Sequence, residues 1–230
     1  MKRIFSILAL NLVAAGAWAQ IYTTNSYNLA TSGTATIPDG NLAGVMETFN
    51  VTGVGSLQYI TKVTLNLDIS GGVNGDLYAY LSGPSGQFAV LLNRVGVSAA
   101  NNNLTGFGNP GLSVTFDDTA SNGNIHNNGN GITQLTGVWA PDGRNINPQS
   151  TPGLFDSAAT TANMAVFNGL SAPNINGAWT LFVADVVAGG GSPTMNLNNA
   201  LLTITAVPEP GTMALAAVGG LTLLAMRRRR

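Results

Sequence analysis

The feature that most constrains this chain is an apolar residue at every second position, in short runs separated by glycine-rich turns. Val63, Leu65, Leu67 and Ile69 alternate with Thr64, Asn66 and Asp68, which sends one row of side chains inward and the other outward on a half-buried strand. The same period continues through Leu77, Ala79 and Leu81, then Phe88, Val90 and Leu92, Leu112, Val114 and Phe116, Trp179, Leu181 and Val183, and Ala200, Leu202 and Ile204. Turn signals at Gly71-Gly72-Val73-Asn74-Gly75-Asp76, Ser82-Gly83-Pro84-Ser85-Gly86 and Gly189-Gly190-Gly191-Ser192-Pro193 separate the runs. No long helical period occurs between the termini. The pattern predicts an all-β fold, an antiparallel β-sandwich or jelly roll.

The ends differ from this body. Lys2 and Arg3 give a positive start, Ile4 to Val13 is apolar, and Ala17-Trp18-Ala19 offers small residues where a signal peptidase reads. Residues 1–19 are therefore expected to form a signal helix, removed after Ala19. At the other end, residues 211–226 carry no charge and precede Arg227, Arg228, Arg229 and Arg230. As a helix this run would reach ~24 Å, a minimal transmembrane span, and the arginines mark its cytoplasmic side. Pro208 and Pro210 cannot continue a helix upstream, so Val207, Pro208, Glu209 and Pro210 are expected to stand extended and accessible to a protease.

Residues 20–206 form one domain's worth of chain. They contain three basic residues, Lys62, Arg94 and Arg144, against nine carboxylates, a net charge of −6. That body lacks the basic footprint of a nucleic-acid binder. With no cysteine in the chain, disulfides and thiolate metal sites are excluded. Asn- and Gly-rich residues 119–131 and Pro- and Asn-rich residues 140–153 read as long exposed loops.

Candidate chemistry is sparse. His126 is the single histidine and lies in Asn124-Ile125-His126-Asn127-Asn128, where it is expected as an exposed loop residue with no neighbouring carboxylate to orient it for a Ser-His-Asp mechanism. No catalytic residue is assigned. Asp76, Asp117, Asp118 and Asp185 sit at predicted strand ends and are candidate ligands for Ca²⁺, which takes six to eight oxygens. Adjacent Asp117 and Asp118 are expected on opposite faces, which separates them as an acid/base pair. Tyr78 and Tyr80 share a face and could stack on sugar rings of an extracellular polysaccharide; the alternative is a second buried face.

Two resemblances follow from these residues. The order Pro208-Glu209-Pro210, apolar run, arginine cluster resembles the PEP-CTERM sorting signal of Gram-negative bacteria. This implies an exosortase, a membrane protease-transpeptidase, as partner, transient membrane contact through the C-terminal helix, and final delivery to the cell surface or extracellular matrix. In the body, Ile60 to Ile69, Gly75-Asp76-Leu77, Leu81 to Gly86, Gly106-Phe107, Phe167-Asn168-Gly169 and Asn176 to Asp185 resemble the P domain (P/Homo B) of proprotein convertases. The likeness spans residues 60–205, with 119–162 as a loop-rich insertion and Ala200 where the family has tryptophan. It implies a jelly-roll-type sandwich without a catalytic centre, with no obligatory cofactor, though some P domains bind calcium. The family's usual setting implies an alternative role, as an accessory domain helping a separate subtilisin-like serine endopeptidase in trans.

Overall fold

The computed structural model describes residues 22–30, 33–189, 194–209, 219–220, 224 and 226–228. Among the described residues the fold is mostly β, with ten strands in two sheets. The strands are β1 Thr23–Asn28, β2 Ala35–Ile37, β3 Val45–Val51, β4 Gln58–Ser70, β5 Leu77–Ser82, β6 Phe88–Asn93, β7 Gly111–Phe116, β8 Leu135–Trp139, β9 Gly177–Asp185 and β10 Met195–Pro208. Two short helices, α1 Ile125–Asn128 and α2 Pro152–Ser157, lie in the connections. One sheet runs β1-β10-β4-β7-β8, with β2 also on β10; the other runs β3-β9-β5-β6.

The alternation read from sequence decides what lies between the sheets. Val63, Leu65, Leu67 and Ile69 of β4 and Ala200, Leu202 and Ile204 of β10 face Leu77, Ala79 and Leu81 of β5 and Trp179, Leu181 and Val183 of β9 in a continuous core. Trp179 anchors it: the indole packs 4.7 Å from the Phe167 ring and donates its N–H to the Ile175 carbonyl at 2.8 Å, so burial leaves no polar atom of the ring unpaired.

Two expectations change. Seven of the eight strand pairings are antiparallel, but β8 runs parallel to β7 with Leu112 opposite Leu135 and Phe116 opposite Trp139, so the sheets are not purely antiparallel. A parallel neighbour needs a crossover, and residues 117–134 supply it. Those residues and 140–162 are therefore no idle insertion. Asp142 and Gly143 donate to Leu91 and Val90, and Val90 donates to Ala162, so this segment lies along β6 and covers the edge of its sheet. That explains why β6 is buried on both faces where a half-buried strand was expected.

The signal segment 1–19 lies outside the described residues. Of the predicted transmembrane helix 211–226, Gly219, Gly220, Leu224 and Met226 are described and helical; the rest lies outside. Among the described residues no helix is long and apolar enough to cross a membrane.

Candidate functional site

The C-terminal junction is built into the sheet. β10 continues to Pro208, with Val207 opposite Tyr59 and Pro208 opposite Gln58, and the Glu209 N–H donates to the Leu57 carbonyl at 2.8 Å. Val207 is completely buried. The expected extended conformation is present through Glu209, and accessibility is divided: the register shifts past Thr205 and both Ala206 and Val207 turn away from solvent, whereas Pro208 is half-buried and Glu209 exposed. Pro208 brings no N–H, which suits the last position of a ladder. Arg227 and Arg228 are exposed; Pro210, Arg229, Arg230 and the small residues Ala17 and Ala19 lie outside the described residues.

The four candidate calcium ligands do not come together. Asp117 and Asp118 follow β7 beside Lys62, whereas Asp76 and Asp185 lie beyond the other end of β4. Asp117 pairs with Lys62 at 2.7 Å and accepts the Thr119 N–H and hydroxyl at 3.0 and 2.8 Å. Burial pushes its carboxyl up, but the Lys62 and Thr119 hydrogen bonds outweigh that and hold it below the usual range. Asp118 accepts the Met164 N–H at 3.0 Å, and burial keeps its carboxyl above the usual range. Both are satisfied by the protein itself.

Asp76 and Asp185 share a pocket of about 280 Å³ with a third carboxylate that sequence reasoning missed, Asp39. The signal for Asp39 was its place in Pro38-Asp39-Gly40, a turn sequence that returns the chain beside the end of β9. Next to Asp76 in sequence, Gly75 packs closely on Gly106: a Cβ on Gly75 would come within 2.4 Å of the Thr105 carbonyl oxygen and 2.8 Å of the Gly106 backbone, while Gly75 donates to the Phe107 carbonyl. Thus the Gly-Asp-Leu and Gly-Phe signatures of the sequence are in direct backbone contact. Burial, then the Asp185 charge, pushes the Asp76 carboxyl up to about 6. Burial also raises Asp185.

His126 is not exposed. It is 3% accessible, at the start of α1, where Asn124 caps the helix by accepting the His126 N–H. Its Nδ1 lies 2.6 Å from Asp142 and its Nε2 lies 3.1 Å from the Val97 carbonyl oxygen, while the ring stacks on Phe155 with centroids 5.8 Å apart. Both ring nitrogens are therefore engaged by oxygen atoms of the protein. The other Asp142 oxygen takes Arg144 Nη1 at 3.2 Å; the Asn93 N–H also donates to this carboxylate, and Arg144 Nε donates to the Phe155 carbonyl. A pocket of about 400 Å³ lies beside this cluster, lined by Ser98, Asn101, Asn103 and Asp156 among others. With Nε2 occupied by a carbonyl, the Asp142–His126 pair has no site to receive a serine proton in this arrangement. Sixteen residues of sequence separate the pair, which hid it.

Tyr78 and Tyr80 do share a face, the outer one of the four-stranded sheet. The Tyr80 ring stacks on Phe182 at 5.0 Å and meets the edge of Phe88 at 6.0 Å; Tyr78 meets Phe182 edge-on at 6.2 Å. Met46, opposite Phe182 on β3, is 67% exposed and extends the patch. Burial pushes the Tyr78 hydroxyl up, with Tyr80 adding to it.

Comparison with known proteins bears on the tail. Residues 206–230 match the family described as the PEP-CTERM protein-sorting motif. The chain therefore carries that motif, which implies an exported protein sorted at the membrane of a Gram-negative bacterium and processed by an exosortase. No curated protein matches the chain. Among solved structures it is similar to a chain in the complex of the Aeromonas sobria serine protease with the chaperone, at 16% identity and a TM-score of 0.43, over 87% of this chain and 30% of that one. A second similarity is to the serine protease of Aeromonas sobria alone, at 17% identity and a TM-score of 0.41, over 86% of this chain and 29% of that one. The chain thus spans under a third of the length of either structure.

Proposed function

We propose that this protein is a P-domain-like β-sandwich of jelly-roll type, without its own catalytic centre, delivered by exosortase processing to the cell surface or extracellular matrix. The observation that carries this reading is the sorting motif at residues 206–230, continuous with the last strand of an acidic, cysteine-free body. The Nε2 of the single histidine, engaged by a backbone carbonyl, favours a non-catalytic role. Mass spectrometry of the mature C-terminus, in a wild-type strain and one lacking the sorting protease, tests the proposal. Loss of the arginine cluster in the first strain and its retention in the second is expected; an intact chain in the cytosol, uncut at both ends, overturns it.

A second reading has its own observation. The half-buried rings of Tyr78, Tyr80, Phe88 and Phe182 form an aromatic patch on one sheet face, a chemistry suited to the apolar faces of sugars. We infer that this face binds the polysaccharide among which the protein is deposited. Retardation in gels containing the producing organism's polysaccharide is expected for the protein and lost for Tyr78→Ala, Tyr80→Ala; equal mobility with and without polysaccharide removes the binding function.

A further inference from the structure

We propose that the pocket of about 400 Å³ beside the His126, Asp142 and Arg144 cluster binds a single neutral sugar unit, such as the end of a polysaccharide chain. It shares no residue with the aromatic face of Tyr78 and Tyr80 and does not rest on that reading. Its volume falls among small-ligand pockets, ~300–1,000 Å³. An enclosed pocket admits one unit, whereas an open sheet face takes the middle of a chain.

Arg144 carries the argument. It is 7% exposed and lines the pocket. Nε donates to the Phe155 carbonyl at 2.9 Å, Nη1 to Asp142 at 3.2 Å and Nη2 to Asn127 Oδ1 at 3.3 Å. A guanidinium carries five N–H donors, so two have no acceptor among the described residues. Buried donors without an acceptor are costly, and at a pocket wall a ligand oxygen reaches them. Asn127 has given its oxygen to Arg144, and Asn103 its own to the Gly106 N–H at 3.0 Å. Each of these lining residues keeps an amide nitrogen with no acceptor among the described residues.

The acceptor at this pocket is Asp156, the residue after the carbonyl that holds Arg144 Nε. The Ser98 hydroxyl bonds its carboxylate, Oδ2 takes the Ala100 and Ala99 N–H groups at 3.0 Å each, and these donors hold the carboxyl below the usual range. A hydroxyl both donates and accepts, so neighbouring hydroxyls on a sugar ring answer the guanidinium, the amides and the carboxylate together. An ionised phosphate or carboxylate only accepts and meets Asp156 as a like charge, while Asp142 already offsets Arg144. Phe107 supplies an apolar wall for the C–H face of a ring, seated where a Cβ on Gly96 would come within 2.4 Å of it. The frame is set before any ligand arrives. Ser98 and Asn103 exchange backbone bonds at 2.7 and 2.9 Å, and the Asn101 N–H donates to Ser98 Oγ at 3.0 Å, so binding has little left to order.

NMR titration of the purified full-length protein with the methyl glycosides of glucose, galactose and mannose tests the site. Saturable shifts of the Arg144 Nε–H and of the Asn103 and Asn127 side-chain amides are expected with at least one glycoside, at a Kd of about 1 mM, the scale for so small a ligand. Asp156→Asn keeps an oxygen for the Ala99 and Ala100 N–H groups but removes the charge, and should weaken binding at least tenfold at an unchanged melting temperature. Asn101→Trp, at the exposed rim, adds bulk at the mouth and should abolish the response. Tyr78→Ala, Tyr80→Ala should leave it intact, which separates this site from the aromatic face. Absence of shifts with all three glycosides overturns the proposal, as does undiminished binding in both Asp156→Asn and Asn101→Trp, or loss of the response in the tyrosine double variant. So does a response to sodium phosphate in place of the glycosides, which would make this an anion site.

Discussion

Two places in this molecule bury aspartate, and they treat it in opposite ways. Asp142 is wholly buried, yet His126, Arg144 and the Asn93 N–H all donate to it. Asp76 is almost as deeply buried and faces Asp185 and Asp39. The first charge is neutralised by hydrogen-bonded residues of the same chain; the second has two like charges beside it and the Arg94 charge only at a distance. Neutralised burial of this sort fixes geometry, here by tying the crossover after β7 and residues 140–162 to the edge strand β6. Poorly compensated burial of this sort opposes folding. The contrast separates a charge cluster that braces the fold from an acidic pocket that works against it.

The largest effect should come from breaking the satisfied cluster. Asp142→Ala leaves Arg144 buried without its counter-charge, and strips the His126 ring of its Nδ1 partner and the Asn93 N–H of its acceptor. A loss of about 3–5 kcal/mol is expected, read by chemical denaturation as an earlier midpoint at unchanged slope. His126→Ala should cost less, about 2–3 kcal/mol, because it removes a ring packed on Phe155 and one donor but leaves Arg144 on Asp142. If Asp142→Ala cost no more than His126→Ala, the carboxylate would not be the centre of the cluster.

How much of this was readable beforehand follows from what each residue contacts. Strands β4, β5, β7, β9 and β10 carry long alternating rows because one face is core and the other solvent, and that difference is written in residue type. β1, with the sequence Thr-Thr-Asn-Ser-Tyr-Asn, lacks the signal: it is an edge strand whose Thr24 and Ser26 hydroxyls meet Thr205 and Thr203 across the pair. β3 alternates only over its second half, with Phe49 and Val51 inward. The Asn-rich crossover misled most. Asn124 donates to the Pro141 and Asp142 carbonyls and caps α1, so an amide that looks like loop filler is an internal brace. Composition does not distinguish an asparagine bonded to a carbonyl from one bonded to water. Likewise, the four aspartates looked alike at strand ends, and only partner geometry separates Asp117 from Asp76.

Removing the unsatisfied charge should act in the other direction. Asp76→Asn is expected to leave stability unchanged or to raise it by about 1 kcal/mol at pH 7, since an amide needs no counter-ion. Its pH signature has a definite sign. The Asp76 carboxyl sits at about 6 in the fold against an ordinary 3.8, so between these values the folded state holds the proton that the unfolded chain has released. Asp76 therefore lowers stability progressively as pH rises from about 4 to about 6, and adds no further change above that. Melting curves across that window should show a shallower decline in Asp76→Asn than in the unaltered protein. Identical slopes would mean that Asp76 is solvated and that the contrast with Asp142 is false.

The smallest effect should be at the remaining acidic pair, and it sharpens the comparison by giving its midpoint. Asp117 is held by Lys62 at 2.7 Å and by Thr119, but the Lys62 side chain is 45% exposed against 16% for Asp117. Water and salt screen that pair, and the lysine gives up side-chain freedom to keep it. Lys62→Met keeps most of the aliphatic stem on the sheet, and Asp117 retains the Thr119 N–H and hydroxyl. A cost of at most about 1 kcal/mol is expected, and it should shrink further in high salt. Since Lys62 helps hold the Asp117 carboxyl low, the same substitution should let that carboxyl rise, visible as a shifted side-chain carbon resonance in an NMR titration. A loss as large as that of Asp142→Ala would show that exposure does not grade these charges, and that the buried cluster owes its weight to something other than exclusion from water.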